Sequence, residues 1–250
     1  MSYDFLNEDL SRIADFVRGM FDDFDDEDGF LLGEMMWLDS DFDPHEDFDV
    51  VNKIKDMVPY VDDVELGCSK ITIVLNRLAD FEVNGITDYV IKMPFRGRIV
   101  GNTKIQYTQA TSSWEKDGWD YCKFEEHVYK EACAQDIECL FCGTRYLCDI
   151  QGEPVYVSQR CTPYDSEDDD SYYCSASDDT KNFVNGSKDK ISSVEMGNDV
   201  AAKFYDYWGE SVTIGLIDFL DEHGVNDCHS GNIGYWNKGV CIFDYSGFNC

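Results

Sequence analysis

Three side chains near the carboxyl end have the types and spacing to handle a divalent cation and a proton. Asp227 and Asn232 stand five residues apart in Asp227-Cys-His-Ser-Gly-Asn232, and Asp244 follows twelve residues later, after Val240-Cys-Ile-Phe243. The first stretch is too rich in Gly, Ser and Asn for a helix, whereas the apolar run predicts a buried strand. A loop bearing a carboxylate and a carboxamide, hairpinned onto a strand that ends in a second carboxylate, gathers hard oxygen donors. Such donors suit Mg²⁺ and, through it, the phosphates of a nucleotide. Read without chemistry, the same residues form an Asx-rich turn that closes a sheet.

A cation is available from an earlier strand. Lys92 lies in Tyr89-Val-Ile-Lys-Met93, where alternation puts it on the sheet face of Val90. If that face lines a cleft, the ammonium needs anions; otherwise it is an edge-strand lysine snorkelling to water. Glu125 is its natural partner. Tyr121, Phe124, Val128 and Ala132 recur at helical spacing, and Glu125 falls on or beside that stripe, where an unpaired carboxylate would be costly. Glu126, one residue on, is the rival, and the register favours Glu125.

The spacing Asp227, Asn232, strand, Asp244 resembles the catalytic loop and metal-binding strand of the protein-kinase-like superfamily. With His229 two residues after the first Asp, it is similar to the aminoglycoside-phosphotransferase branch and to small phage-encoded kinases carrying Asp-x-His-Ser-Gly-Asn. Val90-Ile-Lys92 resembles the strand that carries the phosphate-contacting lysine, and Phe-Glu-Glu-His-Val-Tyr129 resembles the helix that supplies its glutamate. The resemblance covers about residues 62 to 250. It implies ATP and Mg²⁺ as cofactors, with Asp227 aligning or deprotonating the acceptor, Lys92 and Glu125 on the phosphates, and Asn232 and Asp244 on the metal. His229 would brace the loop or touch phosphate.

Gly67, Cys68 and Ser69, just before Lys70, would supply the phosphate-covering loop, although a single glycine stands where kinases place several. Gln159 and Cys161 fall where backbone groups would meet adenine. Two departures stand out: no His-Arg precedes Asp227, and the sequence ends six residues after Asp244. The acceptor expected on that basis is small, is the protein itself, or sits on a surface built by the acidic amino terminus.

Composition bounds the alternatives. The chain has 250 residues, 43% of them hydrophobic, and a formal charge of −31. Binding nucleic acid directly would require clustered Lys and Arg, which this chain lacks. The same charge favours basic protein surfaces. A second class is therefore an acidic, nucleic-acid-mimicking inhibitor of a basic host defence protein. A third is a pseudokinase that binds nucleotide without transferring phosphate. Eleven cysteines at irregular spacing argue for reduced thiols. Cys139-Leu-Phe-Cys142 lacks a second pair to complete a zinc site, and Asp23 to Glu34 lacks the glycine that a calcium loop needs at its sixth place. No apolar run is long enough to span a membrane and no signal peptide is evident, so the expected compartment is the cytoplasm, that of a host if the protein is phage-encoded.

The elements that would position these groups give a compact two-lobed α+β fold. Residues 1–61 form an acidic, aromatic-rich extension with 17 acids in its first 50 residues, and helices are expected at about 6 to 24 and 30 to 38. Residues 62–161 follow the order strand, strand, helix, strand, strand. Residues 162–190 contain many Asp and Ser and predict an acidic loop or insertion. Residues 191–250 form a reduced, mostly helical lobe, with helices at Val200 to Trp208 and Val212 to His223 before the catalytic hairpin.

Overall fold

The computed structural model describes residues 7–22, 37–38, 49–66, 70–94, 96–97, 99–100, 103–104, 120–164, 171–226, 228–236 and 239–245. Five strands form one antiparallel sheet: β1 (Val61–Leu66), β2 (Lys70–Leu75), β3 (Tyr89–Pro94), β4 (Thr144–Ile150) and β5 (Glu153–Gln159), in the order β1-β2-β3-β5-β4. The β4–β5 hairpin turns at Gln151 and Gly152, both at positive φ.

Period-two alternation gives the sheet two unlike faces. Ile71, Ile73, Leu75, Ile91, Met93, Val155 and Val157 are buried in one apolar cluster. Helices α1 (Asn7–Met20) and α2 (Asp49–Met57) cover this face with Ile13, Val17, Met20, Val51 and Ile54. Residues 7–22 and 49–57 are thus an integral layer over the sheet, and their aromatic and aliphatic residues answer the sheet's own β-branched side chains. The second helix expected in the amino-terminal segment is corrected in part: Trp37 and Leu38 form a short strand parallel to Arg96 and Gly97, a pairing with residues distant in sequence. Residues 30–36 lie outside the described residues.

The opposite face carries Lys70, Thr72, Lys92, Tyr156 and Ser158, with Thr72 paired to Lys92 and Lys92 to Tyr156. Helix α3 (Tyr121–Ala134) lies against it. The helix starts where the Asp120 carboxylate accepts from Lys123 N at 2.8 Å, and it buries Tyr121, Cys122, Phe124, Glu125, Val128, Tyr129 and Ala132.

The second region is largely helical. Residues 171–193 correct the loop expected over 162–190, since they form α4 (Ser171–Ser175), α5 (Asp178–Gly186) and α6 (Lys188–Ser193). Few apolar residues are needed there because polar groups hold the turns: Ser177 Oγ caps α5, and the buried Asp199 carboxylate accepts from Tyr172 N and Tyr173 N. Helices α7 (Asn198–Trp208) and α8 (Glu210–His223) pack Phe204, Leu216, Ile217, Phe219 and Leu220 into a second core. Gly224, at φ 67°, ends α8 in the left-handed region that favours glycine.

Strands β6 (Thr162–Pro163), β7 (Ile233–Trp236) and β8 (Gly239–Ile242) make a small antiparallel sheet. Cys142 N donates to Ile242 O at 2.8 Å, and the buried Tyr245 hydroxyl donates to Cys142 O at 2.8 Å. These bonds tie the strand that precedes Asp244 to the segment entering β4.

Candidate functional site

The site is an ion network assembled from four separate segments. Glu125, fully buried on α3, receives Lys92 Nζ of β3 on Oε2 at 2.7 Å and Lys70 Nζ of β2 on Oε1 at 2.6 Å. The Thr144 hydroxyl of β4 donates to the same Oε2 at 3.1 Å and lies 3.1 Å from Ser158 Oγ. Lys70 Nζ also meets Asp244 Oδ1 at 2.7 Å, and Lys92 Nζ donates to Phe243 O at 3.0 Å. Two ammonium groups therefore face two carboxylates and a carbonyl where the sheet's polar face meets the end of β8.

Burial sets the energetics. The Glu125 side chain has no exposure, Lys70 and Lys92 have 6% and 4%, and Asp244 has 32%. Burial alone would push the Lys70 ammonium toward neutrality, but the charges of Asp244 and then Glu125 outweigh it and hold the proton above the ordinary lysine range. Removing one partner from such a network strands a buried charge, at about 3–5 kcal/mol. Asp244 differs from the rest because solvent reaches it.

Local geometry explains the residues around Asp244. Asn232 O accepts from Phe243 N at 2.9 Å and from Asp244 N at 3.5 Å, which sets Asn232 beside Asp244 across the β7–β8 hairpin. A short 3₁₀ turn, Ser230–Asn232, precedes β7. His229 caps it, its Nδ1 accepting from Gly231 N at 3.0 Å. A Cβ on Gly231 would stand 2.8 Å from His229 Cε1, so a larger residue there would displace the exposed imidazole from its capping position. Of the two roles expected for His229, bracing is the one with a visible partner.

The other expected residues divide as follows. Asp227, Gly67, Cys68 and Ser69 lie outside the described residues. Gln159 brackets Gly143, its Oε1 accepting from Gly143 N at 2.8 Å and its own N donating to Gly143 O at 3.0 Å. Cys161 sits with two other thiols. Glu126, the rival to Glu125, points elsewhere: its carboxylate accepts from Tyr146 N at 3.1 Å and pairs with Lys130 at 3.0 Å.

Lys70 was missed as a site residue. In sequence it reads as the tail of the Gly67 loop, yet it alternates with Ile71 and Ile73 as Lys92 does with Ile91 and Met93. That shared period of two is the signal that could have found it.

Among the described residues, no group of three or more His, Cys, Asp or Glu side chains could hold a metal ion. The donors beside Asp244 nevertheless fit a hard cation in kind, being a carboxylate that solvent reaches next to Asn232, although Lys70 would have to yield its place on that carboxylate. Among the described residues no helix is long and apolar enough to cross a membrane.

No known protein family, no curated protein and no solved structure matches the chain. The fold alone therefore defines its class. It is a compact α+β protein with an antiparallel sheet-and-helix region followed by a largely helical one, and its loosely bilobal architecture is compatible with a phosphotransferase-like fold.

Proposed function

We propose that this protein is an ATP- and Mg²⁺-dependent phosphotransferase. The observation that carries the reading is the network in which Glu125 gathers Lys70 and Lys92 from two neighbouring strands, with Lys70 reaching Asp244 and Lys92 reaching the carbonyl of Phe243 beside it. Its physical logic is electrostatic. A polyphosphate entering near Asp244 would meet carboxylate repulsion unless ammonium groups lay between them, and Glu125 fixes two there in advance. Lys92 and Lys70 bind phosphate oxygens, and Glu125 and Thr144 hold the ammonium groups in place.

Asp244 and Asn232 would hold Mg²⁺, which when bound neutralises charge on the transferring phosphate. Asp227 aligns the acceptor hydroxyl. The acceptor is a small molecule or the protein itself.

The test is incubation with ATP and Mg²⁺, reading ATP consumption and the mass of the intact chain. Phosphate transfer is expected, and Asp227→Ala and Asp244→Ala should each abolish it. Unchanged turnover in both variants ends the proposal.

One observation favours a second reading. The Lys70 ammonium occupies Asp244 Oδ1, the oxygen a metal would use. A pseudokinase that binds nucleotide while Lys70 keeps Asp244 would show an ATP-dependent rise in melting temperature without transfer. The acidic-inhibitor class rests on net charge alone. It predicts salt-sensitive capture of a basic protein that survives Asp244→Ala.

A further inference from the structure

Away from the lysine network, three thiols from three segments meet at one point. Cys142 Sγ lies 3.4 Å from Cys241 Sγ, and Cys161 Sγ joins them at Gly234, 2.8 Å from where a Cβ on that glycine would stand. Cys142 precedes β4, Cys161 lies between β5 and β6, and Cys241 is in β8.

Gly234 on β7 makes the meeting possible. It pairs with Pro163 on one side and Cys241 on the other. A Cβ at Gly234 would stand 2.6 Å from Thr162 O and 2.8 Å from Cys161 Sγ. The missing side chain is the space the sulfurs use, and Cys241 Sγ approaches Gly234 O at 3.6 Å.

The three differ in access. Cys142 and Cys241 have no exposed surface, whereas Cys161 is partly exposed. They also differ in proton affinity. Hydrogen bonds from Cys142 and then Cys241 hold the Cys161 thiol below the usual range, against the effect of burial and with help from the Lys92 charge. The Cys142 thiol is raised by its bonds to Cys161 and Cys241 and by burial. One solvent-reachable sulfur with thiolate character thus abuts two buried, protonated ones, as a thiol needs if it is to be oxidised and then resolved.

We propose that Cys161, Cys142 and Cys241 form a hydroperoxide-responsive thiol centre in which Cys161 takes the oxidant and a buried neighbour closes a disulfide. The Cys161 sulfur attacks the hydroperoxide. Its O–O bond breaks, the sulfur becomes a sulfenic acid, and the departing alkoxide takes up the proton the thiol gives up. Cys142 or Cys241 then attacks that sulfur; an S–S bond forms, the S–O bond breaks, and the hydroxyl leaves as water with the second thiol's proton. Two thiols and one hydroperoxide become a disulfide, an alcohol and water. Either disulfide pins the β5–β6 connection: one through Cys241 to the strand that leads to Phe243 and Asp244, the other through Cys142 to the entry of β4. The centre does not depend on the nucleotide reading.

The test exposes the reduced full chain to one equivalent of hydrogen peroxide without nucleotide, followed by peptide mapping of the thiols. The expected product lacks two hydrogens and links Cys161 to Cys142 or Cys241, and Cys161→Ser should slow disulfide formation by at least about tenfold. Cys174→Ser, which removes an exposed thiol outside the cluster, should leave the rate unchanged.

Should Cys161→Ser not fold, iodoacetamide labelling of the wild-type chain at pH 6 decides. An ordinary thiol of pKa about 8.5 is then thiolate in roughly 0.3% of molecules, so Cys161 should label ahead of Cys174 by at least about tenfold. Three outcomes overturn the proposal: disulfide formation at the wild-type rate in Cys161→Ser, labelling of Cys174 before Cys161, or Cys161 carrying two added oxygens while both buried thiols stay reduced.

Discussion

The two faces of the five-stranded sheet are built from the same strands yet do opposite work. On one face Ile71, Ile73, Ile91, Met93 and Val157 meet the apolar sides of α1 and α2. On the other, one residue out of phase, Lys70, Thr72, Lys92 and Ser158 meet α3 and the fully buried carboxylate of Glu125. The apolar face gains from non-directional burial, at roughly 25 cal/mol per Å² removed from water. The polar face gains little net stability from its ion pairs, because desolvating four charges offsets most of their attraction. What the polar face provides is placement: Lys70 fixed against Asp244 and Lys92 against the neighbouring Phe243 carbonyl, on a scaffold whose stability comes from the other side. The difference teaches that stability and chemistry can be separated by a single step of the strand period.

The comparison can be broken most forcefully at Glu125, the one residue on which both lysines converge. Glu125→Ala leaves the Lys92 ammonium without its carboxylate and Lys70 with that of Asp244, and should cost about 3–5 kcal/mol in urea unfolding, with nucleotide binding lost as well. Ile73→Ala, on the apolar face, should cost about 2–4 kcal/mol through cavity formation. Its nucleotide affinity under folding conditions should stay within about twofold of wild type, because nothing in the lysine network touches it. Thr144→Val removes the hydroxyl that steadies Glu125 and should cost about 1–2 kcal/mol. Smallest is Lys55→Ala, which deletes the exposed pair with Asp63 at 2.7 Å; it should shift stability by less than about 0.5 kcal/mol and leave binding unchanged. If Ile73→Ala abolished binding while its fold persisted, the two faces would not be separable in this way.

How much of this was legible in the sequence follows from which interactions are local. The α3 stripe places Glu125 inward because a helix repeats every 3.6 residues, and the β3 alternation places Lys92 opposite Ile91 and Met93. Both periods can be read from a short window. Helices α7 and α8 were legible for the same reason, with Gly224 marking the stop. Lys70 was overlooked beside the Gly67 loop: its alternation with Ile71 and Ile73 gives the face, but that this face meets Glu125 depends on β2 pairing with β3, where Lys70 faces Pro94. The helices within the stretch expected as an acidic loop or insertion, residues 162–190, were not legible because they rest on the Ser177 cap and on the Asp199 carboxylate from α7, with Phe183 and Val184 as sparse apolar anchors. The strand at Trp37 and Leu38 failed for a related reason, since its partner lies nearly sixty residues away at Arg96 and Gly97. That the acidic amino terminus alternates with aromatic residues was visible; that it covers the sheet's apolar face was not.

The Cys161 centre sharpens the comparison from another direction. It sits where the sheet region passes into the helical one, and the Lys92 charge reaches it. Oxidation there should alter nucleotide affinity without lowering the stability set by the apolar face. Urea unfolding and ATP titration of the oxidised and reduced chains would separate the two effects.

The central claim is that Lys70 and Lys92, held by Glu125 beside Asp244, form a binding site for polyphosphate. Isothermal titration of ATP with Mg²⁺ into the wild-type chain and into Lys92→Met measures it most directly. The account predicts saturable binding to the wild type, weakened at least about tenfold in a folded Lys92→Met variant, as expected when a buried ammonium contact to phosphate is lost. Absence of ATP binding by the wild type, or equal affinity in the two chains, would contradict it.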